Sequence, residues 1–70
     1  MTDKEFSYQY ALGTLDKETL IQIAITTTSK KILTALSSDK HWVVRYWVSE
    51  NKSTPSEVKY YLYTDRQWGY

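Results

Sequence analysis

The sequence predicts an all-α protein of about five short helices, forming one small domain over residues 1–70. Three observations carry that expectation. Glycine occurs twice and proline once, too few for the many tight turns of a β-rich chain. Apolar residues recur three and four apart, the spacing of one helix face, as in Leu20, Ile23 and Ala24. A block also repeats at a 26-residue offset: Ile32, Leu36, Asp39 and Trp42 return as Val58, Leu62, Asp65 and Trp68.

The elements follow from local signals. Residues 3–12 read as a first helix, with Phe6, Tyr10 and Leu12 toward one side and Gly13-Thr14 breaking it. Asp16 is placed to cap a second helix carrying Leu20, Ile23 and Ala24, with Ile21 and Ile25 widening the stripe. Its β-branched cluster also admits a strand over 21–28. Thr26-Thr27-Thr28-Ser29 reads as a junction, because hydroxyl and β-branched residues are poor in helix interiors. Ser29 or Thr28 then caps a third helix with Ile32, Leu33 and Leu36. Asp39 is expected to cap a fourth helix, whose broad apolar face holds Val43, Val44, Trp47 and Val48. Thr54-Pro55-Ser56-Glu57 has the form of a capping box with proline in the first turn, opening a fifth helix through Val58, Tyr61 and Leu62 to about Thr64.

Composition excludes several classes. Cysteine is absent, so there is no disulfide scaffold and no cysteine-ligated metal site. Three Trp, seven Tyr and one Phe exclude a disordered tail, which lacks the apolar surface that offsets ordering entropy. The polar, mixed-charge start is wrong for a signal peptide, and no apolar run approaches the ~20 residues of a spanning helix. A cytoplasmic protein with no membrane partner is the expectation. The initial Met favours a complete chain, and the Lys/Ser/Thr/Tyr-rich composition suits a small accessory protein from a phage or a bacterium. A domain this small buries only ~60% of its unfolded surface, so aromatic burial or self-association is expected to supplement the core.

The segment from Asp39 through Val44-Arg45, Val48, Asn51, Thr54-Pro55, Glu57 and Val58 to Asp65 resembles the variant leucine-rich repeat, a short-period relative of HEAT-like α-solenoids. The resemblance spans about residues 29–68. Ser49 stands where that family usually has alanine, and Gln22 where the first copy would have arginine. It implies helices stacked as a HEAT-like mini-solenoid, with an Asp39–Arg45 contact tying a helix start to the neighbouring turn. In that reading Asp39, Arg45, Thr54, Pro55, Glu57 and Asp65 are structural, and Arg45 facing a phosphate is the alternative. Trp42 and Trp68, at matching repeat positions, are expected to pack between units.

No catalytic, cofactor-binding or metal-binding residues are expected. His41 is the only histidine, and no second His or Cys exists to share a metal. Ser37, Ser38, Asp39 and His41 lie too close in sequence to converge around a substrate. The two glycines make no phosphate-cradling loop. The expected role is a non-catalytic protein-binding module. Its candidate contacts are Trp42, Tyr46, Tyr60 and Tyr63, with Lys30, Lys31 and Lys52 at the rim. Charge is uneven: residues 1–18 sum to −2, whereas Lys30, Lys31, Lys40, Arg45 and Lys52 against Asp39 and Glu50 give +3. That basic 30–52 segment carries the alternative of nucleic-acid binding. A homodimer through the open C-terminal repeat edge, burying Trp68 and Tyr70, is the third reading.

Overall fold

The first helix, α1 (Asp3–Leu12), starts with a closed capping box. Thr2 Oγ1 accepts from the Glu5 amide at 3.1 Å, and Glu5 Oε1 accepts from the Thr2 amide at 2.9 Å. It ends at Gly13, whose φ of 73° is the left-handed conformation that lets a helix stop within one residue. The computed structural model describes residues 2–64.

Four further helices follow: α2 (Lys17–Thr26), α3 (Lys30–Leu36), α4 (Trp42–Glu50) and α5 (Ser56–Thr64). Asp16 caps α2 through the Thr19 amide at 2.8 Å, and Ser29 caps α3 through the Ile32 amide at 3.3 Å. Among the described residues there is no strand, so the extended reading of 21–28 is not realised. Residues 21–26 continue α2 because Leu20 and Ala24 bury on the core at helical spacing, which overrides the weak preference of the β-branched neighbours.

Two expected caps are displaced. The cap of α4 is His41, not Asp39, and it makes no side-chain capping bond. For α5, the Pro55 carbonyl accepts from the Val58 amide at 3.0 Å and the Lys59 amide at 3.1 Å, so the helix opens one residue later than expected. Thr54 does not accept from that first turn. Its hydroxyl donates to Val48 O at 2.6 Å and its amide to Asn51 O at 3.2 Å, which leaves Glu57 exposed rather than reaching back.

Helices pack with alternate neighbours. α1 lies on α3, and α2 lies on α4 in the most extensive contact; α3 also touches α2 and α4, and α5 packs on α4. Every helix contributes to one core of Phe6, Leu20, Ala24, Ile32, Leu33, Leu36, Val44, Val48 and Leu62. The radius of gyration is 11.1 Å, matching the ~11 Å expected of a compact chain this long. Leu12 is exposed, contrary to expectation. Phe6 instead stacks on Tyr10 at 5.1 Å, one turn along, and that pair fixes the buried face of α1.

Candidate functional site

Asp39 is the polar centre of the α3–α4 turn. Its side chain is 5% exposed, and three donors surround it. The Tyr10 hydroxyl donates to Oδ2 at 2.5 Å, while Oδ1 receives the His41 amide at 2.8 Å and lies 2.9 Å from His41 Nδ1. These partners explain why Asp39 fails to cap α4: its carboxylate closes a two-residue turn and reaches back to α1 instead. Arg45 is buried and its guanidinium donates to the Asp39 carbonyl. The expected Asp39–Arg45 contact therefore exists, but through main chain rather than through paired charges.

The same contacts set the titration of the site. Burial works against ionisation of Asp39, but the bonds from Tyr10 and from the His41 amide and ring outweigh it and hold the carboxyl below the usual carboxylate range. Burial, then the bond and charge of Asp39, push the Tyr10 phenol upward. Asp39 therefore contributes stability that is present above its unfolded value of about pH 4 and is lost as pH falls through the lower folded value. Tyr10 contributes stability that is present below its unfolded value of about 10 and is lost as pH rises through the higher folded value. Tyr10→Phe is expected to destabilise most between about pH 4 and 10 and to flatten both limbs of the pH dependence, its difference from wild type shrinking toward pH 2 and toward pH 11, read as thermal melts by circular dichroism. A variant melting profile parallel to the wild type at every pH would contradict this coupling.

Asp39 and His41 also resemble half of a hydrolytic arrangement, and the imidazole Nδ1 is held by the carboxylate. The nearby Ser37 hydroxyl, however, donates to Thr34 O at 2.6 Å and is engaged away from the ring. Among the described residues no group of three or more His, Cys, Asp or Glu is placed to hold a metal ion. No described helix is long and apolar enough to cross a membrane.

A further buried polar residue is Asn51. Its Nδ2 donates to Ala24 O at 2.8 Å and Thr27 O at 2.9 Å, and its Oδ1 accepts from the Ser53 amide at 2.7 Å. It thus ties the end of α2 to the α4–α5 loop. The one sequence signal pointing to it was its place in the repeat pattern, between Val48 and Thr54-Pro55.

The aromatic candidates remain at the surface. Trp42 is 53% and Tyr46 40% exposed, one turn apart on α4, and Glu50 continues their stripe. Trp42 is accordingly not enclosed between helices among the described residues, because α4 turns Val44 and Val48 to the core and leaves its first residue on the opposite side. Tyr46 meets Trp47 edge-to-face at 5.1 Å, with Trp47 half-buried against the core. On α5, Tyr60 and Tyr63 are 72% and 62% exposed. Lys30, Lys31 and Lys52 are also exposed. The Asn51 bonds bring the backbone at Lys52 beside the α2–α3 junction, so these lysines share the end of α4 away from Trp42. Asp65, Trp68 and Tyr70 lie outside the described residues.

Comparison with protein-family models, with curated proteins and with solved structures found no match for this chain.

Proposed function

We propose that this chain is a non-catalytic binding module of the short helical-repeat type, presenting the aromatic residues of α4 and α5 to a protein partner. The observation that carries the reading is the pair of exposed aromatic stripes, Trp42 with Tyr46 and Tyr60 with Tyr63, on two helices packed against each other. Large aromatic side chains left in water supply binding energy when a partner covers them, and Tyr and Trp dominate such contacts. The stacked-repeat part of the proposal draws support from the pairing of α1 with α3 and α2 with α4, the order expected of stacked helix pairs. The non-catalytic part draws support from the buried polar groups. Ser37, Asn51 and Thr54 donate to backbone carbonyls, and Tyr10 and His41 both bond Asp39.

The test is recovery of a partner from native lysate by tagged protein, with and without nuclease. A stoichiometric protein that survives nuclease is the expected result. Trp42→Ala and Tyr46→Ala are expected to weaken its retention at least tenfold while leaving the helical circular dichroism spectrum unchanged. Recovery lost on nuclease treatment would replace this reading with nucleic-acid binding. A variant that unfolds would assign its residue to the core and remove it from the surface.

A further inference from the structure

We infer that the cleft between the last turn of α2 and the first turn of α3 docks an acidic peptide segment carrying one large apolar side chain. The cleft is about 220 Å³ and is lined by Ile23, Thr26, Thr27 and Ile32. That volume is below the ~300–1,000 Å³ typical of small-molecule pockets and suits a single inserted side chain. The threonine oxygens already face backbone partners. Thr26 Oγ1 donates to Gln22 O at 2.8 Å, and Thr27 Oγ1 accepts from the Ser29 amide at 3.1 Å. What the cleft offers a visitor is carbon from the isoleucines and the threonine methyls beside a polar surface of nearly the same extent.

Its surroundings are basic. Lys30 and Lys31 stand on the first turn of α3, which contains no acid. Asn51, bonded to Ala24 O and Thr27 O, brings Lys52 to the same end. None of these three lysines is in a salt bridge among the described residues. Residues 19–38 contain no Asp or Glu at all; the acids nearest to Lys52 in sequence are Glu50 and, on α5, Glu57. Three exposed lysines on the elements flanking this small cleft complement a segment with acids on either side of one apolar residue. An aliphatic cleft lacks the aromatic platform on which bases stack, so a peptide fits better than a single-stranded nucleic acid.

This site is separate from the α4–α5 aromatic face and stands or falls independently of it. The test is panning of a displayed random heptapeptide library on the full chain. Recovered peptides are expected to be net acidic with one Leu, Ile, Phe or Met. Amide chemical-shift changes on titrating the best peptide are expected to cluster in residues 23–32 and 51–53. Its affinity is expected to fall at least tenfold for the double variant Lys30→Glu, Lys31→Glu. Acids in the first turn of α3 favour that helix, so the variant keeps its fold, with circular dichroism as the check. Tyr46→Ala is expected to leave the peptide affinity unchanged. No enrichment, enrichment without acidic bias, affinity indifferent to the lysine reversal, shifts clustered elsewhere, or tighter binding of a single-stranded oligonucleotide at this cleft would each overturn the inference.

Discussion

Asn51→Asp is expected to lower the melting temperature by roughly 10–25 °C, although the two side chains have nearly the same shape. Asn51 is buried, with Nδ2 donating to the Ala24 and Thr27 carbonyls and Oδ1 accepting from the Ser53 amide. The substitution keeps the acceptor and replaces the donor with a second oxygen. That oxygen faces two carbonyls, so two favourable contacts become repulsive and a charge is placed out of water. Truncation to Ala is milder: it leaves the carbonyls without the donor, at about 1–3 kcal/mol, but adds no charge. Burial and the facing carbonyls raise the pKa of the introduced acid, so its destabilisation is largest well above that value and eases as pH falls and the protonated acid donates again. The measurement is a set of thermal melts of both variants at pH 7 and near pH 4. If Asn51→Asp melts within a few degrees of wild type, or is less damaging than Asn51→Ala at pH 7, the three-bond clamp is not what joins α2 to the α4–α5 loop.

The helices were legible because their signals are local. Asp16 and Ser29 each stand just before an apolar-periodic run and cap it. The box at Thr2 and Glu5 has the same local form, although it was not among the caps anticipated from the sequence. Asp39 has the same sequence appearance as Asp16 but behaves differently, since Tyr10, 29 residues away, and His41 claim its carboxylate. A local rule cannot weigh a partner from another helix. The same applies to Asn51, whose bond to Ala24 spans 27 residues. Arg45 illustrates the converse. Its charge suggests solvent, yet α4 buries it beside Val44, Val48 and Ser49, where its guanidinium meets the Asp39 carbonyl. For the candidate surface, the four-residue spacing of Trp42 and Tyr46 already puts them one turn apart on a helix. The placement of Lys30, Lys31 and Lys52 at the other end of α4 depends on the Asn51 bonds and was not readable from spacing.

Leu36→Ala is expected to cost about 3–5 kcal/mol, enough to leave much of the protein unfolded at 37 °C. A 70-residue domain carries roughly 4–10 kcal/mol in total. Leu36 is fully buried on α3, which is packed by α1, α2 and α4, so the surrounding helices have little freedom to close the cavity. Leu62, 26 residues later, is also fully buried, but α5 packs on α4 at one side of the described structure. Leu62→Ala is therefore expected to cost nearer 2–3 kcal/mol, partly by loosening α5 alone. Urea titration separates the two. Leu36→Ala should move the midpoint down with the slope unchanged, whereas Leu62→Ala should lose amide protection chiefly over residues 56–64 before the global transition. Equal losses of protection throughout the chain in both variants would make α5 part of a single cooperative unit. Loss confined to α5 would mean that stability passes between neighbouring helices in sequence, as it does when helix pairs are added one at a time to a stack.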